Sequence, residues 1–237
     1  NSATYKDATE ISKLKNIGAT LKAMEAKHNI SALTVLGMAI HESGYGMSCH
    51  AQYNNNLFGL TIVDSAAACE IGGNPDEPFH FKSVEDNVKA LAEKINTAYL
   101  NPSEKQIQAF QYNGGALGNK MIGFNVRYAT DPFWGEKVAG HIYRMDKALG
   151  GKEYKVHNLA FTNKAQVSVR TSPEVINTPT NRLYQYRIDG TIKRLDHMPI
   201  TLSTKPSDEP TWYRVISELE TYTDDVYIRN DNLRLVE

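Results

Sequence analysis

Glu42 is the residue whose type and setting most readily suggest chemistry. It stands in the run His41-Glu42-Ser43-Gly44-Tyr45-Gly46, where an apolar helical stripe gives way to glycine. A carboxyl at the C-terminal end of a helix faces the negative pole of the helix dipole, and cover from Tyr45 or Phe58 would desolvate it. Both effects favour the protonated form that a proton donor needs. A glycosidic oxygen leaves poorly until it is protonated, so such an acid suits cleavage of a sugar polymer. On spacing alone a solvated glutamate at a helix end reads the same way. The pair His41-Glu42 does not open a zinc-protease helix, because Tyr45 stands where the second histidine would fall. The 7 histidines form no metal signature, and no cofactor is expected. Ser43 and Ser48 read as local hydrogen-bonding residues, since no His and Asp stand at the spacing of a serine triad.

The elements that must position this acid are helical up to about residue 150. Leu14, Ile17, Leu21 and Met24 recur at three- and four-residue steps, as do Leu33, Leu36 and Ile40, with Ser31 or Asn29 as N-cap. Ser83 with Asp86 three residues later opens the stripe Val84, Val88, Leu91, Ile95 and Tyr99. Asn101-Pro102 and Asp131-Pro132 read as helix starts with proline at the first position, and Gly150-Gly151 stops a last helix carrying Val138, Ile142, Met145 and Leu149. Between Leu60 and Phe81 the helical period disappears, which predicts a small β lobe or hairpin. After Gly151 the period becomes two, in short runs separated by Asn, Asp, Pro and Gly. The expected architecture is α+β: a mainly helical domain over 1–150 with a small β lobe, then a small all-β barrel over 151–237.

Composition bounds the partners. A chain of 237 residues with 41% apolar residues is long enough to bury a core, and a net charge of −1, with neither half basic, argues against nucleic acid or anionic membrane. No apolar run approaches a membrane span, no signal peptide is visible at the start Asn-Ser-Ala-Thr, and a monomer is expected. The only two cysteines, Cys49 and Cys69, read either as one disulfide or as two unrelated thiols.

Three segments in order, Glu-Ser-Gly-Tyr-Gly-Met-Ser at 42–48, Asn-Asn-Leu-Phe-Gly at 55–59 and Tyr-Ala-Thr-Asp-Pro at 128–132, resemble the signature of the cell-wall N-acetylglucosaminidases of glycoside hydrolase family 73. The resemblance implies a lysozyme-like fold with a saccharide cleft, and hydrolysis of peptidoglycan after N-acetylglucosamine, at its β-1,4 bond to N-acetylmuramic acid. Position by position it implies Glu42 as general acid and Tyr128 in the catalytic centre. Asn56, Leu57, Phe58 and Gly59 match the segment that shapes the cleft floor. Asn56 also reads as a turn residue, Tyr128 and Phe58 as aromatic faces near sugar, and Tyr45 and Glu77 as further substrate-binding residues. A second carboxylate on the β lobe is implied, with Glu70 first, Glu77 second and Asp64 third. The implied partners are glycan strands and stem peptides, and the implied location is extracellular, at the wall. Val167-Ser168-Val169-Arg170-Thr171-Ser172-Pro173, with Trp212 to Val215 and Val226 to Ile228, resembles a bacterial SH3-like domain, which commonly attaches hydrolases to the wall. Two other readings stay open: a lytic transglycosylase, which shares the Glu-Ser helix end, and a non-catalytic wall-binding protein.

Overall fold

A computed structural model describes residues 11–62, 75–100, 115–120, 123–154, 156–164, 166–187, 198–217, 222 and 224–236. The chain forms two compact units, one of residues 1–96 with 137–150, the other of residues 97–136 with 151–237.

The first unit contains α1 (Gly18–His28), α2 (Ala32–Ser43), α3 (Cys49–Asn54), α4 (Val84–Ile95) and most of α5 (Trp134–Ala148), whose first residues belong to the second unit. Helix starts follow local capping chemistry. The Ser31 hydroxyl accepts from the Thr34 N–H at 3.2 Å, and the Ser83 hydroxyl from the Asp86 N–H at 3.1 Å. Ser83 also donates to the Asp86 carboxylate at 3.0 Å, closing a reciprocal cap. Asn29 ends α1 in the left-handed conformation, with its N–H on the Glu25 carbonyl. α1 packs against α2 and α4. The apolar stripes converge on a core that includes Leu21, Met24, Val35, Met38, Leu57, Val88 and Leu91, all buried. Gly37 lets α2 and α5 approach closely: a Cβ there would lie 2.6 Å from Ile142 Cγ1.

Two sequence expectations are revised. α5 begins at Trp134, because the Asp131 carboxylate accepts from the Phe133 N–H at 2.9 Å and holds a turn before the helix. The β lobe expected between Leu60 and Phe81 has no strand among its described residues, 60–62 and 75–81. There the Phe79 carbonyl accepts from the Asn56 side chain at 3.0 Å, the Pro78 carbonyl from the Thr61 hydroxyl at 2.7 Å, and the Phe81 N–H donates to the Asn54 carbonyl at 2.9 Å. Backbone groups satisfied in that way have no need of a ladder. Residues 63–74, and the helix expected from Asn101-Pro102, lie outside the described residues.

In the second unit, residues after 151 build a small β domain from β1 (Leu159–Thr162), β2 (Gln166–Arg170), β3 (Arg182–Arg187), β4 (Pro199–Thr201), β5 (Trp212–Val215), β6 (Val226–Arg229) and β7 (Leu233–Leu235). Among the described residues the strands form a three-stranded sheet, β4-β1-β7, and a four-stranded sheet, β3-β2-β6-β5, with all pairs antiparallel. A bridge between Leu202 and Val215 ties the two. Alternate residues point inward, so Val167, Val169, Tyr184, Tyr186, Val215, Val226 and Ile228 share one buried core. Trp212 is buried as well. The other part of this unit holds an aromatic group: Tyr99 lies 5.2 Å from Phe124 and 6.1 Å from Tyr128, and Tyr128 lies 4.6 Å from Trp134, ring centre to ring centre.

Candidate active site

Glu42 lies in the last turn of α2 and is half-buried. The chain leaves the helix through three successive left-handed residues, Gly44 at φ 54°, Tyr45 at φ 61° and Gly46 at φ 75°. Left-handed backbone is costly for tyrosine, so the turn must be held from outside. Ser43 holds it from within: its hydroxyl donates to the Ala39 carbonyl and accepts from the Gly46 N–H at 2.7 Å. The Tyr45 N–H donates to the Ile40 carbonyl at 3.0 Å, and the Ser48 N–H to the Ser43 carbonyl at 2.8 Å. From the N-terminal segment, Ser12 donates its hydroxyl proton to the Tyr45 carbonyl. From α3, Gln52 donates to the Gly46 carbonyl at 2.7 Å. Ser43 and Ser48 thus serve backbone, Ser48 as the cap of α3.

Tyr45 is 58% exposed, and its ring stands edge-on to His141 of α5 at 5.7 Å. His141 also lies 5.8 Å from His41 and accepts at Nδ1 from Arg144 at 2.9 Å. Burial, then the Arg144 and His41 charges, hold the His141 imidazole below its ordinary pKa. Sequence reasoning passed over this histidine, which stands a hundred residues from His41.

The segment 55–60 is a loop folded around two asparagines. The Asn56 amide donates to the Leu60 carbonyl at 2.9 Å and the Phe79 carbonyl at 3.0 Å. Its oxygen accepts from the N–H groups of Leu60 at 3.1 Å and Phe58 at 3.4 Å, and from the Asn87 amide at 3.4 Å. Asn87, from α4, in turn accepts from the Leu57 N–H at 2.8 Å. Asn56 is 1% exposed and Phe58 3% exposed, so both sit beneath the surface and set the path of the loop. The next asparagine back, Asn55, donates to the Phe81 carbonyl at 2.9 Å and accepts from Lys13 at 3.1 Å.

Glu77 is half-buried in the turn before His80, whose N–H donates to the Glu77 carbonyl at 2.9 Å. Glu70, the preferred second carboxylate, and Asp64 lie outside the described residues. Cys49 is disulfide-bonded, and Cys69, the chain's one other cysteine, lies outside the described residues. Glu42, Tyr45, Asn56, Phe58 and Glu77 belong to the first unit and Tyr128 to the second.

Tyr128 is half-buried in a loop that Asn125 and Lys120 clasp. The Lys120 ammonium donates to the carbonyls of Asn125 at 2.7 Å, Val126 at 3.1 Å and Ala129 at 2.7 Å. The buried Asn125 side chain donates to the Asp131 carbonyl at 2.7 Å and accepts from the Ala129 N–H at 3.3 Å. No group of His, Cys, Asp and Glu suited to a metal ion occurs among the described residues.

The sequence profile of the glucosaminidase family, described as mannosyl-glycoprotein endo-beta-N-acetylglucosaminidase, matches residues 18–147. Two proteins of different Streptococcus pneumoniae strains, each named as an endo-beta-N-acetylglucosaminidase, are 33% identical over 140 residues. That match covers 59% of this chain, and only 19% and 18% of those relatives' own length. Among solved structures, Staphylococcus aureus autolysin E in complex with the muropeptide NAM-L-Ala-D-iGlu aligns with a TM-score of 0.40 at 18% identity, covering 59% of this chain and 63% of that one. A catalytic mutant of the same autolysin with the disaccharide NAG-NAM aligns with a TM-score of 0.40 at 17% identity, over the same shares of the two chains.

Proposed function

The chain belongs to the glucosaminidase family of glycoside hydrolases, and from that membership we propose that it hydrolyses peptidoglycan at the β-1,4 bond between N-acetylglucosamine and N-acetylmuramic acid, with Glu42 as general acid. One observation carries the assignment of the acid. Glu42 is half-buried in the final turn of α2, two residues before a turn of three left-handed residues that hydrogen bonds with Ser12, Lys13, Ser43 and Gln52 pin. A proton donor works best from a fixed position, which this bracing supplies. In the reaction the Glu42 carboxyl transfers its proton to the glycosidic oxygen as the bond to the anomeric carbon breaks. Either a water or the acetamido oxygen of the N-acetylglucosamine unit attacks that carbon. If water attacks, its proton passes to the second carboxylate and Glu42 regains one from solvent; if the acetamido oxygen attacks, a second water opens the resulting oxazoline and returns its proton to Glu42.

Tyr45 supports the reading as an exposed ring three residues beyond the acid, a surface on which a sugar can stack. In this account Asn56 and Phe58 act by shaping the loop that follows α3. Tyr128 contributes an aromatic wall, and the second carboxylate comes from Glu70 or Glu77. We read residues 151–237 as an SH3-like module that holds the enzyme at the wall, outside the cell. The run Asn-Asn-Leu-Phe-Gly at 55–59 favours hydrolysis over the transglycosylase reaction.

Glu42→Gln tests the proposal. The amide keeps the shape and loses the acidic proton, so lysis of purified peptidoglycan is expected to fall at least about a hundredfold while binding to it persists. An unchanged lysis rate would discard Glu42 as the acid.

A further inference from the structure

The outer face of the four-stranded sheet carries a row of charge that the hydrolytic reading leaves unused. In register across β3, β2, β6 and β5 stand Arg182, Arg170, Tyr227 and Arg214. Arg214 is neutralised where it lies: Asp225 is 2.8 Å away, Asp208 3.6 Å away, and its guanidinium lies 5.6 Å from the centre of the Tyr227 ring. Arg170 and Arg182 are different. Arg170 is half-buried, and its one side-chain partner among the described residues is neutral, the Asn181 carbonyl oxygen at 2.7 Å. Arg182 is exposed and lies directly opposite it. Among the described residues no carboxylate comes within ion-pair distance of either. The carboxylate of the adjacent loop, Glu174, accepts instead from the Ser172 hydroxyl at 3.4 Å.

Like charges opposed across two strands destabilise a sheet, and partial burial adds to the cost. Burial and the Arg182 charge together depress the Arg170 pKa, as expected of a cation that lacks a counter-ion. Arg170 is held in place through Asn181. Asn181, besides accepting from Arg170, accepts from the Ile176 N–H at 3.2 Å and donates to the Ser172 hydroxyl at 2.7 Å and the Glu174 carbonyl at 3.0 Å. A guanidinium fork held in place, with a second arginine opposite it on the next strand, suits the two oxygens and the charge of a carboxylate.

We propose that Arg170 and Arg182, flanked by Tyr227, form a subsite that binds the free terminal carboxylate of a wall stem peptide. The choice of stem peptide as the source rests on the peptidoglycan reading above; the carboxylate chemistry rests on the sheet. Titration of the full chain with a synthetic stem peptide ending in D-alanine, and with its C-terminal carboxamide, tests it. The acid is expected to bind at least about tenfold more tightly than the amide. Arg182→Gln, at an exposed position, and Arg170→Lys, which keeps the charge but not the fork, are each expected to abolish that preference, and Arg182→Gln, which relieves the opposed charges, is expected to leave the unfolding midpoint no lower. Equal binding of acid and amide, or a preference that survives Arg182→Gln, would overturn the site. So would binding of a soluble phosphodiester teichoic acid in place of either peptide. Cleavage of peptide-free glycan chains by the same protein reports separately on Glu42. A lost peptide preference with intact cleavage removes the sheet site alone, and an intact preference with no cleavage removes the catalytic reading alone.

Discussion

Replacing Asn56 by alanine would take away the hydrogen-bond partner of five groups: the Leu60 and Phe79 carbonyls, the Phe58 and Leu60 N–H groups and the Asn87 amide. All surround a side chain that is 1% exposed, so water cannot readily substitute for it. Buried groups left without partners cost about 1–3 kcal/mol. Asn56→Ala is therefore expected to lower the stability of the first unit by at least about that amount, read as a fall in urea midpoint at unchanged slope. A midpoint like that of the unaltered protein would show that the loop draws its shape from elsewhere. In the proposed reaction Glu42 belongs to the opposite kind of residue, one that acts from a fixed point. Tyr45 lies between the two, with its backbone fully engaged in the turn and its ring 58% exposed against His141.

The turn after α2 is the element on which the proposed acid would depend, and Gly46 is a tightly constrained position in it. Its φ of 75° disfavours any side chain, and a Cβ there would lie 2.9 Å from the Leu14 backbone nitrogen, which cannot move aside cheaply. Gly46→Ala is expected to destabilise the fold by about 1–3 kcal/mol and to reduce lysis beyond what the lost stability explains, measured at a temperature where the variant remains folded. Full activity in a destabilised variant would mean that Glu42 does not need the turn. Elements built from adjacent residues were legible beforehand. The caps at Ser31 and Ser83, and the helical stripes of α2 and α4, depend on neighbours within one turn. What escaped was long-range. The run Pro78-Phe79-His80-Phe81 reads as one arm of a hairpin, but the Phe79 and Pro78 carbonyls meet the side chains of Asn56 and Thr61. His141 reaches His41 only through packing of α5 on α2. Asn87 did leave a trace: a polar residue on the stripe between Val84 and Leu91 invites the question of what it bonds.

For the molecule as a whole, a net charge of −1 gives no general attraction to an anionic polymer, so the proposed binding to the wall would rest on local sites. The structure offers two settings for such sites: the braced helix end in the first unit, and the sheet of the β domain with its row of arginines. The alternating burial of β2 and β6 made the β domain readable from period alone, whereas the arginine row needed the register between four strands. No helix among the described residues is long and apolar enough to cross a membrane. The chain spans about a fifth of the curated relatives it matches, so its chemistry is best judged on its own products. Digestion of purified peptidoglycan, borohydride reduction and mass spectrometry of the fragments fix the bond and the reaction together. New reducing ends that carry N-acetylglucosamine are the expected result. Reducing N-acetylmuramic acid, or 1,6-anhydro termini, would contradict the account.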